Sequence, residues 1–145
     1  MKKSRSLLGA FGLAAMLFVG AACSDDDAAN DALKDAGVDA NINTGGGLPS
    51  GFPEADVPTP ELKLETGVTA AGTYTLRYTA TDAKANSDAY KTKLTEAGYT
   101  ISGEADFLAQ PNGNIAFTAT KDKYTVSVSS FNTPDKYMAV VVLAV

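Results

Sequence analysis

The chain has no histidine, and Cys23 is its only cysteine. The lack of histidine removes the commonest general base of enzymes and the common zinc ligand sets. A single cysteine permits no disulfide framework, and it leaves no cysteine nucleophile elsewhere in the chain. We therefore expect a non-enzymatic protein with no catalytic residues, no metal and no cofactor, whose fold depends on its hydrophobic core.

Three remaining arrangements of residues suggest chemistry, and each has a simpler interpretation. Ser87 and Lys91 stand one helical turn apart, as a Ser-Lys dyad would, but a helix cap and a solvated lysine explain them more simply. Glu104 and Asp106 offer paired carboxylates, yet no apolar cleft is predicted that would raise one pKa, and charge on an edge strand deters aggregation. Gly45-Gly46-Gly47 lacks a following lysine and opens no helix, which indicates a flexible spacer rather than a phosphate loop.

Asp39, Asn41 and Asn43 alternate along the chain, as the first ligands of a calcium loop do. An EF-hand loop requires glycine at its sixth position and glutamate at its twelfth, where this chain has Thr44 and Ser50. We therefore expect no calcium site.

The N-terminal residues have the parts of an export signal. The positive start consists of Lys2, Lys3 and Arg5. Residues 7–20 are an uncharged run of 14, shorter than the about 20 residues that a permanent membrane-spanning helix needs. Small residues and the cysteine follow in the order Gly20, Ala21, Ala22, Cys23. This ending resembles the lipobox of bacterial lipoproteins, with glycine at a position where leucine or valine is commoner.

The lipobox resemblance implies that residues 1–22 are a signal peptide and that Cys23 carries a covalent diacylglycerol. The protein would then be lipid-anchored at the cell membrane, on its extracytoplasmic face. An ordinary signal peptide cut near Ala22 is the alternative, and it would leave Cys23 as a free thiol. Lipidation gives a lone cysteine a reason to exist in an oxidising compartment.

The mature chain would be acidic, with nine basic residues against 17 acidic ones and a formal charge of −8. This charge repels nucleic acids and anionic headgroups, so the membrane contact is expected from the lipid alone. Much of the acid lies in residues 23–47, which are predicted to form a flexible tether, with a short helix allowed within residues 27–36.

Residues 48–60 carry four of the six prolines, and three of these four follow an apolar residue, in Leu-Pro, Phe-Pro and Val-Pro pairs that begin at Leu48, Phe52 and Val57. This rhythm resembles the entry segment of small uncharacterised lipoproteins from high-GC Gram-positive bacteria, which implies little about activity. Because proline lowers the entropy lost on ordering, we expect this Pro-rich segment to pack against the sheet. A solvated spacer is the alternative.

Residues 61–145 show two-residue hydrophobic alternation, interrupted once by a helical period. Leu62 and Leu64 begin a hairpin whose turn is expected at residues 67–72. The helix is expected within residues 82–97, after a cap at Asp82 or Ser87 and before Gly98.

Four strands follow this helix, with a bulge at Gly103, turns at residues 111–113, 122 and 132–135, and a last strand, residues 137–145, buried on both faces. We expect an α+β fold, a mainly antiparallel sheet with one helix on one face, in the order β-β-α-β-β-β-β after the disordered tether.

The two faces of this sheet suggest different roles. Tyrosines expected beneath the helix are Tyr74, Tyr78, Tyr99 and Tyr124, either as core rings with hydroxyls at the rim or as a platform for a sugar or acyl chain. Short hydroxyls expected on the opposite face form the candidate binding face: Thr73, Thr75, Thr118, Thr120, Thr125 and Ser127. Threonine also favours strands on a solvated face, so an ordinary surface is the alternative.

Two functions fit these features. The first is an accessory or binding protein that docks on another envelope component, a protein or a glycan, through the hydroxyl face or a sheet edge. The second is a carrier of a small ligand or lipid, in a cavity between helix and sheet lined by Tyr74, Tyr78, Leu94, Phe107 and Phe117. A carrier needs an open cavity of about 300 Å³ or more.

Replacement of Cys23 by alanine removes the proposed lipidation site. We expect Cys23→Ala to move the protein from the membrane fraction to the soluble fraction, because a signal of this length supplies no permanent span. Fractionation and metabolic labelling with palmitate measure both effects. Retention of the variant in the membrane, with palmitate incorporated, would contradict lipidation at Cys23.

Overall fold

The computed structural model describes residues 26–145, so the predicted signal and lipidation residues Gly20, Ala21, Ala22 and Cys23 lie outside the described residues. The described chain is an α+β fold of two helices and seven strands. In chain order these are α1 (Asp26–Asp35), β1 (Ala40–Asn43), β2 (Leu64–Ala70), β3 (Thr73–Thr79), α2 (Ala83–Glu96), β4 (Thr100–Asp106), β5 (Asn114–Lys121), β6 (Tyr124–Phe131) and β7 (Tyr137–Ala144).

All seven strands form one antiparallel sheet in the spatial order β1-β2-β3-β7-β6-β5-β4. The fold class and the order of elements from β2 to β7 confirm the expectation from sequence. The apolar strand β7 is central, as expected, because β3 and β6 pair with its two edges. The prediction that β7 is buried on both faces is wrong: Met138, Val140 and Val142 are fully buried, whereas the residues that alternate with them are only half-buried or exposed.

Residues 26–47 are not a flexible tether in this structure, which corrects the sequence expectation. The short helix allowed there is α1, and β1 after it pairs with β2 through Ala40↔Ala70 and Ile42↔Val68. Acid repulsion between the α1 carboxylates does not prevent this, because Asp27, Asp31 and Asp35 are exposed to solvent, while Asp26 accepts hydrogen bonds from Thr44. Side-chain hydrogen bonds to β1 fix its position.

The β2–β3 turn is shorter than predicted, because β2 continues to Ala70 and leaves only Ala71 and Gly72 between the strands. Both have positive φ, 49° and 77°, as a type I′ hairpin turn requires. Gly67 had suggested a turn, but it lies within β2 where Pro49 passes close by. A Cβ at Gly67 would come within 2.7 Å of the proline Cδ.

Helix α2 begins and ends where its sequence signals predict. The Asp82 carboxylate accepts a hydrogen bond from the Ala85 backbone N–H, and Gly98 adopts a φ of 88° just beyond the helix. The helix buries one side against the sheet, with Ala83, Ser87, Tyr90 and Leu94. Gly103 confirms the predicted bulge, since the β4–β5 register shifts between Ser102 and Ala105.

The Pro-rich segment, residues 48–60, packs on the same side of the sheet as α2, as expected. Phe52 and Val57 belong to the hydrophobic core, and Val57 has no exposed surface. Tyrosine hydroxyls hold its backbone in place: Tyr74 donates to Gly51 O, Tyr90 to Pro58 O and Tyr99 to Asp56 O. The solvated-spacer alternative is therefore wrong.

We expect Val57→Ala to lower the free energy of unfolding by about 2 kcal/mol, since two buried carbon atoms leave a gap beneath the segment. The matched control is Glu54→Ala, an exposed position in the same segment, which should change stability by less than about 0.5 kcal/mol. Urea denaturation followed by circular dichroism measures both. Equal effects of the two substitutions would mean that the segment is not part of the cooperative fold.

Candidate functional site

The open face is the side of the sheet opposite α2 and the Pro-rich segment. Within residues 26–145, neither α2 nor the Pro-rich segment covers it, since α2 and residues 52 and 57 share the core on the other side. The six predicted binding-face residues all lie on the open face, because the residues that alternate with them along each strand pack in or against the core on the other side. They fall in two cross-strand rows: Thr73, Leu143, Thr125 and Thr120 in one, and Thr75, Val141, Ser127 and Thr118 in the next.

An apolar strip divides these hydroxyls, and the sequence prediction missed it. The strip consists of the outward residues of β7, namely Tyr137, Ala139, Val141 and Leu143. Leu143 is 37% exposed, while the other three are half-buried by their neighbours. The consecutive apolar run in β7 was the available signal, but it was interpreted as burial on both faces rather than as an uncovered strip.

One end of the open face carries a cluster of aromatic and charged side chains. The rings of Phe131 and Tyr137 stack with centroids 4.6 Å apart and planes 21° apart, and the Arg77 guanidinium lies 4.2 Å from the Tyr137 ring centroid. Arg77 Nε also donates to Glu65 at 3.0 Å, and the Thr79 hydroxyl donates to the same carboxylate. Each side chain in the cluster therefore orients its neighbour.

The orientation of these rings limits what the cluster can bind. Phe131 and Tyr137 are cross-strand neighbours, and their separation matches the spacing of adjacent strands, so the rings stand upright on the sheet. Both faces of the Tyr137 ring are occupied, by Phe131 and by Arg77. The cluster presents ring edges and a guanidinium, a composition typical of protein interfaces, rather than a flat ring for stacking on a sugar.

The open face is almost uncharged although the chain is acidic. Arg77 is the only charged residue among the outward positions of β3, β5, β6 and β7, and Glu65 pairs with it. Approach of another molecule to this face therefore requires little desolvation of charge.

The other candidate residues are separated rather than assembled into a site. Ser87 is fully buried and Lys91 pairs with Glu104 at 3.0 Å, so no Ser-Lys dyad exists. Asp106 accepts a hydrogen bond from the Leu108 N–H instead of facing Glu104. Within residues 26–145 no three His, Cys, Asp or Glu side chains lie close enough to hold a metal ion.

The four predicted core tyrosines lie on the α2 side of the sheet, but their hydroxyls do not form a ligand platform. Those of Tyr74 and Tyr99 bind the Pro-rich backbone, and that of Tyr124 lies 3.2 Å from the Asp56 carboxylate. Tyr78 is 2% exposed, and burial raises its pKa well above the usual value, so its hydroxyl stays protonated without a hydrogen-bond partner.

The space between helix and sheet is filled by side chains. Leu94 and Phe117 there are 0% and 2% exposed. Phe107, predicted to line a cavity, is instead 49% exposed after the end of β4, because the Gly103 bulge changes which side of the strand faces the core.

An open cleft of about 460 Å³ lies beside the Pro-rich segment rather than under the helix. Its lining includes Gly46, Leu48, Pro60, Leu62, Leu64 and Tyr78. Tyr78 contributes only a small part of the lining, since it is 2% exposed and its hydroxyl is buried.

Comparisons with protein-family models, with curated proteins and with solved structures find no match to this chain. Among the described residues, neither helix has the length and apolar character needed to cross a membrane.

The tyrosine hydroxyls should differ in how much they contribute to the free energy of unfolding. Tyr90→Phe removes a hydrogen bond to Pro58 O and should lower the free energy of unfolding by about 1 kcal/mol. Tyr78→Phe removes an unpaired buried hydroxyl, so stability should stay the same or rise by up to about 1 kcal/mol. Urea denaturation at pH 7 compares the two, and an equal loss in both variants would contradict this assignment.

Proposed function

We propose that this chain is a lipid-anchored envelope protein of non-enzymatic binding type, which docks on another membrane or cell-wall component through the open face. The observation that carries the proposal is the open face itself, an uncovered sheet surface with an apolar strip, hydroxyl rows and an aromatic-arginine cluster. A protein partner fits this face better than a glycan, because the rings of the cluster stand upright.

The proposed lipid anchor lies close along the chain to the start of the folded domain. Cys23 stands three residues before Asp26, where α1 begins, and three extended residues span at most about 11 Å. Lipidation at Cys23 would therefore hold the domain close to the membrane surface, within reach of partners that are themselves membrane-bound.

The aromatic-arginine cluster is expected to anchor one end of the contact. Tyrosine and arginine are enriched among the residues that dominate binding energy, especially when they are held in one conformation before binding. Here Arg77 is held by Glu65 and Tyr137 is held between two neighbours, so little side-chain entropy is lost on docking.

A second function is supported by the cleft beside the Pro-rich segment. Its volume exceeds the about 300 Å³ that a small-ligand site requires, and its three leucines suit a small ligand with an apolar part. This replaces the cavity expected between helix and sheet, which side chains fill.

The docking proposal is tested by placing an arginine on the open face. Ser127→Arg inserts a charge into the centre of the uncovered sheet, and we expect at least about a tenfold loss of the partner captured by crosslinking in native membranes. Ala89→Arg is the matched control, because Ala89 is exposed on α2, on the opposite side of the molecule. Quantitative mass spectrometry of the captured proteins measures the loss.

Only one pattern supports docking through the open face. The same identified protein must be captured by the wild-type chain and by Ala89→Arg but lost with Ser127→Arg. Equal capture by both variants would overturn the proposed face. A lipid or small molecule recovered with all three proteins, with no protein partner, would favour the cleft.

A further inference from the structure

Strand β1 forms one edge of the sheet, and side chains of α1 occupy its outward backbone groups. The Asn30 amide donates to Ile42 O at 3.0 Å and accepts from Ile42 N at 2.7 Å. The Asp26 carboxylate accepts from Thr44 N at 2.8 Å and from the Thr44 hydroxyl. An edge strand would otherwise expose these groups to another strand.

The Asn30 side chain imitates a neighbouring strand. A carboxamide has the same donor and acceptor as a peptide bond, and Asn30 uses both on one residue of β1. An antiparallel strand makes this same pair of bonds between two directly opposite residues. The atoms of Ile42 that bind Asn30 are therefore the atoms that would bind an added strand.

Helix α1 is attached to the fold by little else. None of its residues is buried, and β1 is the element on which it packs. By contrast, α2 buries four residues in the core. Release of α1 would therefore expose the edge of β1 without disturbing the hydrophobic core.

The opposite edge of the sheet, β4, is protected in a different way. The bulge at Gly103 breaks its regular pairing surface, and Lys91 of α2 pairs with Glu104 beside it. A bulge is built into the backbone, whereas the cover on β1 consists of side chains on a separate helix.

We propose that the outer edge of β1 is an interaction surface for β1 of a second copy of this chain, which α1 covers in the monomer. Pairing of the two strands would join two seven-stranded sheets into one continuous sheet around a two-fold axis. This inference does not depend on docking through the open face, because it uses the edge of the sheet rather than its surface.

The sequence of β1 fits a second copy of itself. The residues on either side of Ile42 are both asparagine, so the strand reads alike in both directions around this residue. With Ile42 opposite Ile42 of the second copy, the two residues exchange both backbone hydrogen bonds, and Asn41 of each copy lies opposite Asn43 of the other. The paired asparagine amides can bond across the strands.

Hydrogen exchange on the unaltered fold tests whether α1 can be displaced. A chain of residues 24–145 contains all described residues. In it we expect the amides of Ile42 and Thr44 to exchange at least about 100-fold faster than those of Val140 and Val142, through local opening of α1. Exchange of all four at one rate would mean that α1 opens only with global unfolding, which would overturn the proposal.

Self-association tests the surface itself. We expect Asp26→Ala/Asn30→Ala to dimerise in analytical ultracentrifugation, with at least about a tenfold tighter dissociation constant than the wild-type chain. Asp27→Ala/Asp31→Ala is the control, since both residues are exposed on the same helix and neither bonds to β1. Monomeric Asp26→Ala/Asn30→Ala that retains its circular dichroism spectrum, or equal dimerisation of the control, would overturn the proposal.

A disulfide reports the register of the pair. We add Asn41→Cys and Asn43→Cys to the Asp26→Ala/Asn30→Ala variant. Position 41 of one copy should then form a disulfide with position 43 of the other, because residues beside a hydrogen-bonded pair have closely spaced Cβ atoms. Asn41→Cys alone should form none in this register, since Asn43 would lie opposite. Dimers that form without the double-cysteine crosslink would place the contact elsewhere and overturn the proposal.

Discussion

Burial of one face of the sheet is the constraint on which the rest of the structure depends. With a single cysteine, the fold rests on its core, and the core lies between one face of seven strands and a cover made of α2 and the Pro-rich segment. Large side chains from both layers, such as Tyr90 and Leu94 of α2 and Phe117 of β5, fill the space between sheet and cover, which leaves no room for a ligand beneath the helix. The other face receives no layer from α2 or the Pro-rich segment and is left for other contacts.

The Pro-rich segment is half of this cover, and the tyrosines explain how an irregular chain can be buried. A buried loop must find partners for its backbone carbonyls, and the hydroxyls of Tyr74, Tyr90 and Tyr99 supply three of them. Proline reduces the number of backbone N–H groups that need acceptors and the entropy lost on ordering. The ring of each tyrosine thus packs in or against the core, while its hydroxyl donates to the Pro-rich backbone. These hydroxyls are therefore not free to bind a ligand.

The two edges and the open face of the sheet differ in how they are protected from contact with other strands. The β4 edge has a backbone bulge, the β1 edge is covered by Asn30 and Asp26, and the open face has neither device. Exposed sheet surface favours association, and the open face has no bulge and no cover, so it is the surface available for contact while α1 covers the β1 edge. The open face is almost neutral although the chain is acidic, so a contact there requires little desolvation of charge.

Local sequence determined the elements of this protein, and tertiary contacts determined what those elements do. The two-residue alternation, the Asp82 cap, Gly98 and the Gly103 bulge depend on neighbours along the chain, so the strands from β2 to β7 and helix α2 could be predicted. The hydroxyl rows were predictable for the same reason. The pairing of β1 with β2, and the packing of α1 on β1, could not be predicted. Both depend on hydrogen bonds between residues that are distant in sequence, from β1 to β2 and from Asn30 to Ile42. The sequence shows that the residues of β7 are apolar at consecutive positions. Whether both faces of β7 are covered depends on where the other layers pack, which only the tertiary structure decides.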